Sequence, residues 1–165
     1  MDVVLKPSVK SQLKLPRTLF LFIATILFIM ARCGGSRVQC QKLLEVVNQG
    51  PILIHAQQNQ YDAATTQQLA VEMETMAKEI ETIKVSDRRL KMMQTRFAIV
   101  YRELSQTLNE IGTTVKTGEQ APITLQGRQQ LSSAREQLLS VEETANQTGK
   151  KLDALMDEIN AYCPQ

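Results

Sequence analysis

Residues 131–162 read LSSAREQLLSVEETANQTGKKLDALMDEINAY, and their spacing points to one kind of element. Leu131, Ala134, Leu138, Val141, Ala145, Thr148, Leu152, Leu155, Ile159 and Tyr162 follow one another at alternating steps of three and four. That spacing draws one stripe along an α-helix and is the seam of a coiled coil. Such a helix is of little use alone, because its stripe has to be buried on another.

Working outward, three more segments carry the same signal. Leu90, Met93, Phe97, Val100, Leu104, Leu108, Ile111 and Val115 predict a helix of about 30 residues before it. Leu69, Met73, Met76, Ile80 and Ile83 predict a shorter one. Cys40, Leu43, Leu44, Val47, Pro51 and Ile54 predict a first. No run alternates with period two, and aromatic residues make up only 4% of the chain, which argues against strands. The breaks are equally plain. Asn48-Gln-Gly-Pro51 kinks or ends the first helix, since proline removes a hydrogen bond and crowds the preceding turn. Residues 57–66 are a polar connection in which Asp62, Thr65 or Thr66 can cap the second helix. Ser86 or Asp87 can cap the third, and Gly112, Gly118 and Pro122 mark the connection to the fourth, with Thr124 as its cap. The expectation is an all-α, antiparallel up-down four-helix bundle, its last two helices forming a longer hairpin tipped by residues 115–128.

Upstream the composition changes. Residues 19–31, LFLFIATILFIMA, hold only Thr25 as a polar interruption, behind Lys6, Lys10, Lys14 and Arg17. A helix of that length covers about 20 Å against a hydrocarbon core of about 30 Å. Residues 1–17 therefore read as a basic cytoplasmic tail, and 18–31 as a signal-peptide core or a short membrane anchor. Ile29 and Ala31 fit a cleavage site, whereas Arg17 and Arg32 suit a retained anchor, and both readings stand. Either way residues 38–165 form one domain on the extracytoplasmic side, in a periplasm or lumen, membrane-anchored or secreted. Residues 1–37 hold six of the 19 Lys and Arg and one of the 17 Asp and Glu. Residues 38–165 thus keep 13 bases against 16 acids, a net of −3 with histidine neutral. The basicity of the chain belongs to its targeting segment, and a nucleic-acid partner is not expected.

The topology makes a prediction about cysteine. In an antiparallel four-helix array the first helix starts where the fourth ends, so Cys40 and Cys163 become neighbours and join in an oxidising compartment, the alternative being two buried free thiols. The bond would enclose 122 residues and contribute on the order of 4–5 kcal/mol through loop closure. Cys33 is left over, free, removed with a leader, or used between chains.

The chain carries few of the residue patterns that chemistry needs. His55 is the only histidine, so Glu-x-x-His metal pairs cannot be assembled, and no Cys-x-x-Cys is present. A catalytic triad lacks a spare imidazole, nothing resembles Gly-x-Ser-x-Gly, and Cys33-Gly-Gly-Ser36 lacks the lysine and spacing of a phosphate-cradling loop. The carboxylate pairs Glu72/Glu74, Glu79/Glu81, Glu142/Glu143 and Asp157/Glu158 sit beside Lys78, Lys84, Lys150 and Lys151, as solvated, charge-paired faces do. No catalytic residue, metal ligand or cofactor is expected. Arg88, Arg89, Lys91 and Arg96 are less ordinary, because cations at a helix start oppose the helix dipole. They suit either anionic headgroups or pairing with Glu79, Glu81 or acids of the fourth helix. Asn146-Gln-Thr148 matches a glycosylation sequon inside a helical pattern.

VQCQKLLEVVNQG, QLAVEMETMAKEIETIKVSDRRLKMMQTRF and the closing AYCPQ resemble a group of small exported or membrane-anchored helical proteins of cyanobacteria, over most of residues 38–165. The resemblance implies export and the terminal cysteine pair, and it supplies no activity and no catalytic residue. The functional expectation is a non-enzymatic structural or protein-interaction module at the membrane surface; the hairpin tip is either simply the end of a long hairpin or a partner-binding element. The alternatives are a lipid or small-ligand carrier, with Met73, Met76, Met92, Met93 and Met156 lining an adaptable interior, and a sensor ectodomain working through a partner. The fourth seam also suits pairing between two copies, so a homodimer is compatible.

Overall fold

Each long helix begins where a short polar side chain closes its first turn. In the computed structural model, which describes residues 36–57 and 62–163, the helices are α1 over residues 36–47, α2 Gln49–Ala56, α3 Ala63–Thr82, α4 Arg88–Glu119 and α5 Leu125–Tyr162. The basic tail, the apolar segment 18–31 and Cys33 lie outside the described residues. Asp62 caps α3 by accepting from the Thr65 amide at 2.9 Å, and Asp87 caps α4 by accepting from the Leu90 amide at 2.8 Å. Thr124 caps α5 by accepting from the Gly127 amide at 3.1 Å. No strand occurs among the described residues.

Gly112 and Gly118 do not end the third predicted helix. Both lie inside α4, and the connection to α5 is confined to residues 120–124. At Gly112 a side chain would run into Gln67 Cγ and the backbone oxygen of Ala63, so glycine here serves the close approach of α3 to α4. The first predicted helix is interrupted at Asn48 and resumes at once as α2. The ladder of α1 still reaches that residue, since the Asn48 amide donates to the Leu44 carbonyl at 3.0 Å. Pro51 is then the third residue of α2, inside a first turn whose amides have no helical partner, so its missing N–H costs α2 nothing.

The cost falls one turn earlier. In an unbroken helix the Val47 carbonyl would accept from residue 51, which is proline. Tyr101 of α4, itself fully buried, donates its hydroxyl to that carbonyl instead. Gly50 makes room for the ring, because a Cβ there would overlap the Tyr101 side chain.

Named pairs fix the directions of the helices. Ile80 and Ile83 meet Gln94, Glu81 meets Arg102, and Gln67 meets the Gly112 position, so α3 and α4 are antiparallel. Asp87 meets Tyr162, Arg96 meets Glu158 and Glu103 meets Lys151, so α4 and α5 are antiparallel too. Gln39 meets Ser86 and Val47 meets Tyr101, which runs α1 alongside α4 in the same direction. The core gathers where α1, α3, α4 and α5 all contribute: Leu43, Val47, Met73, Ile80, Leu90, Met93, Phe97, Tyr101, Leu155 and Ile159 are all essentially inaccessible. Gln94 sits among them and donates its amide to the Ile83 carbonyl at 2.8 Å and to that of Ile80, which it shares with the Ile83 amide, closing the end of α3.

Along α5 the seam is present but unequally covered. Thr148, Leu152, Leu155 and Ile159 are buried, Leu138, Val141 and Ala145 are half-buried, and Leu131 is exposed. α3 begins at Ala63, level with Gly112, and beyond that point α4 and α5 have only each other among the described helices.

Candidate functional site

Two regions stand apart from the helical core, one at each end of α4. At the first, Cys40 at the start of the array and Cys163 after α5 form a disulfide, with Cα atoms 5.7 Å apart. Both are nearly inaccessible and belong to the hydrophobic core. Apolar side chains at positions 40, 43 and 47 of α1 hold that edge against α4 and α5, which brings the sulfur atoms together.

Around this bridge lies a network of short polar contacts. The Gln39 side chain accepts from the Ser86 amide at 2.8 Å and donates to the Ser86 hydroxyl at 2.9 Å, fastening α1 to the α3–α4 connection. Tyr162 donates its hydroxyl to Asp87 at 2.9 Å, and the Arg89 guanidinium stands 4.9 Å over the Tyr162 ring. The Leu90 amide, and then the Tyr162 hydroxyl, hold the Asp87 carboxyl below the ordinary carboxylate range. The same hydrogen bond raises the Tyr162 phenol above its ordinary value. An open groove of about 660 Å³ runs beside the disulfide between Arg37, Gln41, Leu44, Glu45 and Asn48.

The four basic residues singled out in the sequence divide. Arg96 is paired with Glu158 of α5. Arg88, Arg89 and Lys91 are exposed and have no carboxylate within 4.0 Å among the described residues. Glu81 pairs with Arg102, further along α4, rather than with any of them. Lys84 and Lys91 face the same recess beside Gln39 and Ser86, and Arg37 lines the groove at the disulfide.

At the other end the α4–α5 hairpin runs past the start of α3 and turns through residues 120–124. Pro122 and Gly127 pack so closely that a side chain at 127 would overlap the Pro122 carbonyl. Ile123 is fully exposed, and Leu125, Leu139 and Leu131 are 79%, 60% and 49% exposed. These four large aliphatic side chains lie within 17 residues of one another on the least covered part of the chain.

Other candidate residues fall where they have ordinary structural roles. Met73, Met76 and Met93 are buried in the core, Met156 packs on it, and Met92 is exposed. His55 is exposed at the end of α2. Glu74 pairs with Lys78 at 3.4 Å and Glu103 with Lys151 at 2.7 Å. Within α5, Thr148 of the sequon is buried and donates its hydroxyl to the Thr144 carbonyl. Among the described residues no group of three or more His, Cys, Asp or Glu is arranged to hold a metal ion, and no helix is long and apolar enough to cross a membrane. Tyr101 and Gln94, fully buried side chains that hydrogen-bond to backbone carbonyls, were not among the sequence candidates. The signal for Tyr101 was Pro51, which leaves an acceptor that some donor has to fill.

Compared with protein-family models, curated proteins and solved structures, the chain matches none.

Proposed function

We propose that this chain is an exported, membrane-attached helical module that binds a partner protein through the far end of its α4–α5 hairpin, without catalysing a reaction. In this reading the helices form an up-down four-helix bundle in which α1 and α2 together act as the first helix. Residues 18–31 deliver it to the extracytoplasmic side.

The observation that carries the reading is the contrast between the two ends of α4. One end is closed by a disulfide, the kind of bond that persists in oxidising compartments. The other projects Ile123 and Leu125 into solvent with Leu131 and Leu139 behind them. Large aliphatic side chains left this exposed two residues apart at one turn, as Ile123 and Leu125 are, are candidates for contact. The solvated, ion-paired carboxylates and the methionine-filled core speak for an interaction module over a hydrolase or a carrier.

The test is photo-crosslinking in the native cell, with a benzophenone amino acid replacing Ile123 or Leu125 in turn and Lys150 as an exposed control. A discrete adduct of one mass from both tip positions, absent at Lys150, supports the reading. Non-reducing peptide mapping of the same membranes should yield the linked Cys40 and Cys163 peptides. No adduct at the tip would sink the docking role, and free thiols at both cysteines would sink export.

A further inference from the structure

We propose that Arg37, Lys84, Arg88, Arg89 and Lys91 form a basic collar at the disulfide-closed end that rests on anionic phospholipid headgroups. Three elements contribute to it. Arg37 comes from α1, Lys84 from the α3–α4 connection, and the other three from the first turn of α4. The contact between Gln39 and Ser86 brings these elements together, and Arg89 is steadied over the ring of Tyr162.

Charge accounting at this end leaves the collar unneutralised. Of the near acids, Glu81 pairs with Arg102 and Glu158 with Arg96, while Asp87 offsets Arg89 in part, so that among the described residues Arg37, Lys84, Arg88 and Lys91 have no paired carboxylate. The exposed acids Glu45, Glu79 and Asp157 lie a turn or more inward along their helices. Residues 38–165 carry a net charge of −3, so an anionic surface repels the body of the domain and attracts this end alone. Such a field orients the module as well as holding it. Cations at the start of α4 oppose its dipole; Arg89 is held by Tyr162, but Arg88 and Lys91 have no ion-pair partner among the described residues, and a headgroup layer would supply one.

Reach supports the same partner. Only residues 32–36 separate Ala31, the last of the apolar run, from Arg37. Even fully extended they span about 20 Å. The proposal rests on the membrane-attached reading of residues 18–31, and an experiment can separate the two.

The full chain contains no tryptophan, so Met92→Trp, at a position already exposed beside Lys91, supplies a single reporter. That chain is mixed with phosphatidylcholine vesicles, or with vesicles about one-third phosphatidylglycerol, each carrying a headgroup spin-labelled quencher. Flotation reports attachment, and quenching reports approach of the collar. The expected result is flotation with both vesicles, and quenching several-fold stronger with phosphatidylglycerol. Added salt should reverse that increment, each basic residue accounting for about fivefold in local partitioning. Arg88→Glu with Lys91→Glu should abolish the increment while leaving Arg89 on Tyr162 and the helical circular dichroism unchanged. An Ile123→Trp reporter at the far end should stay unquenched. Flotation with both vesicles but equal quenching overturns the collar and leaves the anchor. Salt-sensitive flotation with phosphatidylglycerol alone, lost in the double variant, overturns the anchor and leaves the collar. Flotation with neither overturns both.

Discussion

The hydroxyl of Tyr101 occupies the place that the missing amide of Pro51 leaves at the carbonyl of Val47. An acceptor orphaned in α1 is thereby satisfied from α4, and the interruption between α1 and α2 becomes a point of attachment. Burial of Tyr101 pushes its phenol well above its ordinary pKa, so the hydroxyl keeps its proton and remains a donor.

Tyr101→Phe should therefore leave a buried carbonyl unpaired and lower stability by about 1–3 kcal/mol. Pro51→Ala restores an amide that can reach the same carbonyl, so the Tyr101→Phe penalty should shrink in that background. Urea unfolding of the four chains of this double-mutant cycle gives the coupling, and strict additivity would refute the shared acceptor.

Removing the disulfide has a different signature. Cys40→Ser with Cys163→Ser should cost about 2–5 kcal/mol, mainly by enlarging the freedom of the unfolded chain. The dependence on urea should rise as well, because a chain without the bond exposes more surface on unfolding. Equal midpoints with and without reductant would mean that the bond contributes nothing.

The capped starts of α3 and α4 and the end of α5 make stability depend on pH in a predictable sense. Asp87 has a lowered pKa in the folded chain, chiefly from the Leu90 amide, as has Asp62 from the Thr65 amide. Their contribution is present above the ordinary carboxylate range and fades as pH falls through it toward the folded values. Tyr162 is raised by its bond to Asp87, so its contribution is present below the ordinary phenol range and fades as pH rises beyond it. Asparagine caps about as well as aspartate, so Asp87→Asn should change stability little at neutral pH while flattening the acid limb. Thermal melts from pH 2 to 7 followed by circular dichroism would check this.

At the hairpin tip the prediction is separation of stability from binding. Ile123→Ser with Leu125→Ser should change stability by no more than about 0.5 kcal/mol, since neither side chain is covered. The same pair should abolish the crosslinked adduct formed from a benzophenone at the neighbouring Gln126. Loss of several kcal/mol would instead place these residues in a folding role.

Much of this architecture was legible in the sequence. Apolar residues at helical spacing marked α3, α4 and α5, and Asp62, Asp87 and Thr124 were among the named caps. Antiparallel succession was enough to pair Cys40 with Cys163. Periodicity was silent on how many neighbours cover a stripe, so it treated Leu131 and Leu155 alike although one is exposed and the other buried. It also misread Gly112, because glycine signals both a turn and a close approach, and only the position of α3 distinguishes them. Gln94 escaped notice because its partners are backbone carbonyls, which every residue type carries. The basic cluster was ambiguous for a similar reason: the pairing of Arg96 with Glu158 joins residues 62 apart.

The sulfur bridge also sets the path of mechanical load. A pull on this domain between residue 40 and residue 163 passes through one covalent link and bypasses the 122 residues it encloses. The hairpin hangs outside that path. Traffic or tension on the chain flanking the bridge would leave α4 and α5 slack, and whatever docks at their tip would not feel it.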